Sequence, residues 1–323
     1  MSKTAPKRYA EDGVNVADEA TFSSYAGSVC KASYKNSPFV TVHDLSEGSF
    51  RGPRPISFTN LPAGFFVELS SDGIGTKGIL VDAADSFETA AFDLMAMVAS
   101  DITRYGGVPL VITNTMDIAE VGAENSPENA KYKRLLTGLD AAAKASNAVI
   151  LKGETAQMAA CVSSEISDSK TRFNWGATML GVYHKEKMVT GDSLAPGQKV
   201  IALKEDGFRC NGISSLRKAL VMQYGKEWWN NPDATEDIKA AAAPSVLYDQ
   251  FVNSLHGWYA EDWQAEVTLH AIVHLSGGGI KEKFANDLVL QRGFSATLDD
   301  LFEPPEIMKK CADWRGIEDE EFY

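Results

Sequence analysis

The sequence predicts a mixed α/β (or α+β) chain in two domains, on three observations. Short apolar runs of strand length alternate with stretches at helical spacing in both halves, and such alternation builds layered α/β or α+β folds. The length, 323 residues, suffices for two domains of ordinary size. A turn-rich joint, Gly191 to Lys199 (GDSLAPGQK), divides the chain, so we place the domains at 1–190 and 191–323.

The elements follow in order. The first sixty or so residues read as loop-rich, with glycine, proline and polar residues, and EGSFRGPRP (Glu47 to Pro55) reads as a flexible stretch with two arginines. GFFVEL (Gly64 to Leu69) reads as a buried strand running into SSDGIGTKG, and GILVD (Gly78 to Asp82) as a second strand. From Asp85 the spacing turns helical: Asp85 and Glu88 resemble a capping box, and Phe87, Ala91, Leu94, Met95, Val98 and Ile102 recur on one face. Gly106, Gly107 and Pro109 stop that helix, and VPLVIT (Val108 to Thr113) is a strand. Ser126-Pro127 opens a helix to about Ser146, because proline is preorganised for a first helical turn. AVILKG (Ala148 to Gly153) and Gly176 to Tyr183 are strands. Past the joint, KVIALK is a strand, Ile213 to about Tyr224 a helix, residues 225–245 an insertion, and HAIVHL (His270 to Leu275) a strand leading through SGGG into another helix.

Composition narrows the function classes. Hydrophobic residues make up 44% and charged residues 23%, as in ordinary globular proteins. A net charge of −13 argues against a nucleic-acid surface. The first residues lack the apolar core of a secretory signal, and no apolar run approaches the roughly 20 residues of a membrane span. Cys30, Cys161, Cys210 and Cys311 form no CxxC pair, which fits a reducing cytoplasm better than a zinc site or a disulfide framework.

The sharpest chemical signal is SDGIGTK (Ser71 to Lys77). Its glycines let a backbone approach a phosphate, with Asp72 and Lys77 supplying charge beside it. Gly73, Gly75 and Gly78 spell GxGxxG, but a dinucleotide fingerprint opens a helix and GILVD reads as a strand. A tight hairpin and a phosphate loop both fit. Asp93 and Asp101 lie eight residues apart and share one side of their helix, suiting either solvated carboxylates or a magnesium pair. Glu154 stands just past a strand end, where ligands gather in α/β sheets. Asn211-Gly212 precedes a helix that can be plainly capped or can hold an anion. His270 and His274 share one strand face, and His274 abuts the glycine loop.

Together, YAEDGVNV, SDGIGTK, DLMAMVASD, GGVPL, LKGETAQM, APGQKVIAL, FRCNGISSLRK, APSVLY and HAIVHLSGGGIKE resemble the aminoimidazole ribonucleotide synthetase (phosphoribosylformylglycinamidine cyclo-ligase) family in order and spacing. The resemblance runs from about Tyr9 to Tyr323 and is weakest at the N-terminal loop and around Trp228. It implies a two-domain ATP-binding synthetase fold. The N-terminal α/β domain would dimerise through a barrel-like interface, and the C-terminal domain would be α+β. It implies ATP and Mg2+ as cofactors and ATP-dependent closure of formylglycinamidine ribonucleotide to aminoimidazole ribonucleotide in a cytoplasmic homodimer. The alternatives are another ATP-using enzyme of the superfamily and a nucleotide-binding fragment with little turnover.

By position, the resemblance makes Lys77, Asn211 and His274 catalytic candidates. Asp72, Gly73, Gly75, Thr76, Lys77, Asp101 and Glu154 become nucleotide contacts, and Asp72, Asp93 and Asp101 metal ligands. Arg209, Asn211, Gly212, Ser276, Gly277, Gly278 and Gly279 fall on the substrate and phosphate side. The sequence departs from the family in three places. LSEGSFRGPR stands where a glycine-rich segment is usual, and Arg209 replaces a histidine. The family also continues past EDEEFY, so the C-terminal domain is expected to be incomplete and ring closure weakened.

Overall fold

The computed structural model describes residues 16–46, 52–260, 265 and 267–318. Most of YAEDGVNV, the beginning of the EGSFRGPRP stretch (Glu47 to Arg51) and the last five residues of the chain lie outside the described residues.

A helix, α1 (Val16–Ser33), is followed by a two-stranded antiparallel ribbon of β1 (Val40–Val42) and β2 (Ile56–Phe58). Next come β3 (Phe65–Gly73), α2 (Lys77–Ala84) and α3 (Ala90–Thr103). β4 (Val108–Ile118), α4 (Pro127–Ala145), β5 (Val149–Gln157) and β6 (Phe173–His184) complete a four-stranded sheet of order β3-β6-β4-β5. β6 is antiparallel to both β3 and β4, whereas β4 and β5 run parallel around the α4 crossover. The sheet is therefore mixed, as the alternation of strand and helix signals requires.

Period-2 alternation gives the sheet two unlike faces. Met116, Ile112, Met179, Ala177 and Ile150 point into a core shared with Leu94, Met95 and Val98 of α3 and Leu135 and Leu139 of α4. On the other face, Val111, Val149 and Val182 lie under Val40, Phe58 and the flanking aromatics of the ribbon. Beyond the ribbon this second face turns polar and open, with Ser71, Thr178, Thr113 and Lys152 forming one cross-strand row.

α4 begins where Ser126-Pro127 places it: the Ser126 hydroxyl accepts from the Asn129 N–H at 3.2 Å. Two other expectations fail nearby. GILVD is not a strand but most of α2, with Gly78, Leu80 and Val81 buried. A short apolar run carries both periods, and here the helical one wins because Ile79, Leu80, Ala83 and Ala84 all reach a second core around α5 (Ile213–Tyr224). The capping box at Asp85 does not form either. Asp85 ends α2 in a left-handed conformation (φ 51°), and α3 starts only at Ala90. Asp85 and Glu88 instead grip Arg134 of α4, with Nη1 at 2.8 Å from Asp85 and Nη2 at 2.7 Å from Glu88.

The second half departs further. α5 matches its predicted span, and α6 (Thr235–Ala241), α7 (Asp249–His256), a π-helix (Ile280–Val289) and α8 (Glu306–Arg315) follow. KVIALK and HAIVHL are not strands, and no strand occurs among the described residues after His184. The expected α+β character of this half is thus absent from them. The apolar run of KVIALK finds no ladder or cover, leaving Ile201 82% exposed. HAIVHL is held by single contacts, including a bond at 3.1 Å from the Gly191 N–H to the His270 carbonyl.

Close approach at Gly138 sets the seating of α4, since a Cβ there would fall 2.0 Å from the Glu88 carbonyl oxygen. Gly138→Ala is expected to cost about 1–3 kcal/mol in urea unfolding. Gly27→Ala, in the open interior of α1 with nothing within 4 Å, should stabilise by about 0.5–1 kcal/mol.

Candidate functional site

The predicted glycine loop joins β3 to α2. Gly73 must lack a side chain, because a Cβ would meet the Trp175 carbonyl at 2.8 Å, and Gly75 adopts φ 53° in open space. Ile74 is buried and pins the loop from below. Asp72 is exposed, with Oδ1 accepting from the Gly73 N–H at 2.7 Å. Thr76 is exposed at the helix start and makes no side-chain cap. Because α2 follows at once, the loop is a strand-to-helix turn, not a hairpin between two strands.

Lys77 corrects a sequence expectation. Its side chain is fully buried, and Nζ donates to Asp93 Oδ1 at 2.6 Å, the Phe208 carbonyl at 2.6 Å and the Ala243 carbonyl at 2.7 Å. An ammonium has three protons, so none remains for a phosphate. Asp93 is equally committed, since Oδ1 also accepts from the Ser245 N–H at 3.0 Å and the Ser245 hydroxyl at 2.6 Å. Burial pushes the Asp93 carboxyl above its ordinary range, against the opposing pull of Lys77 and Ser245.

The expected magnesium set does not assemble. Asp93 and Asp101 share a side of α3, but eight residues separate them by about 12 Å along the axis. Asp101 has its own partners: Ser70 donates to Oδ2 at 3.0 Å, while His274 Nδ1 and Arg104 Nε each lie 3.8 Å from Oδ1. His274, then Ser70 and Arg104, hold its carboxyl below the ordinary range. Among the described residues, no three His, Cys, Asp or Glu side chains converge as a metal site. Asp72 alone of the three stays exposed with an oxygen uncommitted, which suits a cation held by one carboxylate and ligand phosphates.

Glu154 lies elsewhere. The register runs Gly73–Gly176–Thr115–Glu154, which puts it three strands, about 14 Å, from the loop. Its side chain is on the open face, whereas Ser70 and Asp72 share the face covered by α3.

Arg209 is a strut. Nη1 pairs with Glu205 and donates to the Val246 carbonyl at 3.3 Å, and Nη2 reaches the Ala96 carbonyl at 3.3 Å and Ser100 Oγ at 3.2 Å. The expected phosphate contact instead docks the 205–211 segment on α3. Beside it Asn211 Nδ2 is buried without a partner, and Gly212 (φ 74°) starts α5. Burial pushes the Cys210 thiol up to about 12, with Asp93 and Asp72 adding to the shift. Burial likewise raises Cys30 to about 11 and Cys311 to about 12. In the Ser276–Gly279 turn the Gly279 N–H donates to the Ser276 carbonyl at 2.9 Å. Gly278 (φ 92°) has no room for a Cβ beside Glu282, and Gly277 is open.

Ser70, Asp101 and His274 thus meet where β3, α3 and the 270–275 segment come together; Asp72 shares the Ser70 face of β3, and the Lys77–Asp93 pair is buried against the Phe208 carbonyl of the loop that carries Asn211. Ser70, Arg104 and Ser245 escaped the sequence reading. Ser70 was discoverable, since it alternates with Asp72 on the same face of β3.

Fold and site together define a mixed α/β domain with a glycine-rich strand-to-helix turn. Residues 59–182 match the family described as AIR synthase related protein, N-terminal domain. Phosphoribosylformylglycinamidine cyclo-ligase of Thermococcus kodakarensis is 27% identical over 216 residues, 67% of this chain and 58% of that protein. The proteins of that name from Methanobrevibacter smithii (27%, covering 93% of this chain and 79% of that one) and Geotalea daltonii (25%, 100% and 85%) align further. The chain spans 58% of the length of the Thermococcus and Pyrococcus relatives. Among solved structures, thiamine-monophosphate kinase of Stenotrophomonas maltophilia aligns at a TM-score of 0.44 and 13% identity, over 72% of this chain and 64% of that one.

The buried pair yields a stability test. Lys77→Met should cost about 3–5 kcal/mol in urea unfolding, because it strands Asp93 without its counter-ion. The double variant Lys77→Met/Asp93→Leu should cost clearly less than the sum of the two single changes.

Proposed function

We propose that this chain is an ATP-dependent cyclo-ligase that closes formylglycinamidine ribonucleotide to aminoimidazole ribonucleotide, with ADP and phosphate as co-products. One observation carries the reading: relatives named phosphoribosylformylglycinamidine cyclo-ligase align through the glycine loop and, in the longer matches, over 88–100% of the chain. The glycine turn supports it, because Asp72 stands exposed beside Gly75, which has open space around it.

The chemistry suits such a turn. An amide oxygen is a poor leaving group, so the formyl oxygen takes the ATP γ-phosphoryl group, the amidine nitrogen attacks that carbon, and phosphate departs as the ring closes. Positioning and charge neutralisation provide most of the catalysis in such transfers. Asp72 would hold magnesium together with the nucleotide phosphates, and magnesium would neutralise their charge. Gly73, Gly75 and Thr76 would line the phosphates, while His274, Asn211 and Ser276–Gly279 would face the ribonucleotide. Lys77 and Arg209 keep the loops in place.

The reading includes a division near residue 190, a homodimer and a cytoplasmic setting. Val67 and Leu69 of edge strand β3 are exposed on the open sheet face, and a two-fold mate would cover them. All four cysteines are free, which fits a reducing compartment, and no helix among the described residues is long and apolar enough to cross a membrane.

Incubation with ATP, magnesium and formylglycinamidine ribonucleotide should yield ADP and aminoimidazole ribonucleotide in equal amounts. ATP binding without imidazole product would defeat the reading. Asp72→Ala should weaken magnesium-dependent ATP binding at least tenfold in calorimetry. Light scattering at micromolar concentration should give twice the chain mass, and Leu69→Asp should halve it.

A further inference from the structure

The four strands of the sheet carry one lysine and no arginine, and that lysine is Lys152 of β5. Its direction is set by a shift of register. Ile150 pairs with Ile112 and faces the core shared with α3 and α4. Strict alternation would then send Leu151 to the open face and turn Lys152 back into the core. Instead the register shifts by one residue between Ile112 and Thr113, so that Lys152 stands opposite Thr113 and Leu151 is the extra residue of a β-bulge. Leu151 packs with the ribbon side of the sheet, and Lys152 emerges exposed on that same open face. Bulges re-aim side chains in this way and are frequent beside active sites. Keeping a charge out of the core accounts for an outward Lys152, but not for the polar row on which it lands.

That row runs Ser71, Thr178, Thr113, Lys152 across all four strands. Ser71 Oγ and Thr178 Oγ1 lie 2.7 Å apart, whereas the Thr113 and Lys152 side chains have no hydrogen-bond or ion-pair partner among the described residues. Glu154, two residues on and on the same face, is not paired with Lys152 either. Three strand spacings put the Lys152 backbone about 14 Å from Ser71, and its four-carbon stem can carry the ammonium about 6 Å back along the row. The ammonium thus reaches the Thr113 and Thr178 hydroxyls, about 8 Å short of the strand that runs into the glycine turn. The other basic groups near the turn are spent: Lys77 on Asp93 and two carbonyls, Arg209 on Glu205 and α3.

We propose that Lys152 binds a phosphate group of a ligand seated at the glycine turn and laid over the open face, with the Thr113 and Thr178 hydroxyls beside it. The choice of phosphate rests on the cyclo-ligase reading, which offers two sources, the ATP triphosphate and the phosphate of the ribonucleotide. Both present the same oxyanion to an ammonium and hydroxyls.

Calorimetry on the full chain with magnesium separates the sources. Lys152→Met keeps the stem and removes the charge, and because the side chain is exposed the variant should unfold at the same urea concentration as the unaltered protein. The ligand whose phosphate meets Lys152 should lose about 10–100-fold in affinity, the share of one charge-assisted hydrogen bond, and Lys152→Arg should keep most of it. Loss for ATP assigns the triphosphate, and loss for formylglycinamidine ribonucleotide assigns its own phosphate. Equal affinity of both ligands for the unaltered and Lys152→Met chains overturns the proposal, as does an equal loss for adenosine, which carries no phosphate. A changed mass of Lys152→Met in light scattering would make Lys152 a contact between chains and overturn it too. If the unaltered chain forms no imidazole product, the cyclo-ligase reading fails, and inorganic tripolyphosphate then decides the site by itself. Binding weakened at least tenfold by Lys152→Met sustains the site; binding unchanged by the substitution, or absent from the unaltered chain, overturns it.

Discussion

The site hangs on one buried ion pair. Lys77 opens α2 at the end of the glycine loop, and its ammonium reaches inward to Asp93 on α3 and to carbonyls at Phe208 and Ala243. Two charges out of water are tolerated only when they are well matched, and here the Lys77 ammonium and the Ser245 N–H and hydroxyl all converge on Asp93 Oδ1. One cation therefore fixes the start of α2, the first turn of α3, and two stretches of the second half at a single point.

Arg209 does related work one helical turn further along α3. By bonding Ala96 and Ser100 it lays the 205–211 segment along the helix and sets the position from which Asn211 and Gly212 begin α5. The two basic residues expected to bind phosphate thus tie the second half to the first. On the proposed reading, charge neutralisation for a nucleotide would fall to a cation at Asp72 and to backbone N–H groups.

Much of the first half was legible because its signals are local. Ser126-Pro127 names a helix start through an N-cap, and VPLVIT and AVILKG are bounded by glycine on one side or the other. GILVD was misread because five apolar-rich residues carry no decisive period, and the choice was made by a core around α5 more than 130 residues away. The motif at Ser71–Lys77 was found correctly as a glycine turn, but the direction of Lys77 was not legible. Spacing tells which side of a helix a residue occupies, not which loop from the far half closes over it. Asp93 and Asp101 illustrate the same limit: a shared helix side is compatible with wholly different partners. KVIALK and HAIVHL show that a short apolar run without a neighbouring strand does not make a sheet.

The four thiols are sorted by burial into two kinds. Cys30, Cys210 and Cys311 are held protonated by their surroundings, whereas Cys161 is exposed in the loop after β5. A maleimide or haloacetamide reagent at neutral pH should therefore attach at Cys161 well before the others. A fluorophore placed there would stand at the β5 edge of the sheet, the edge opposite β3 and its glycine turn.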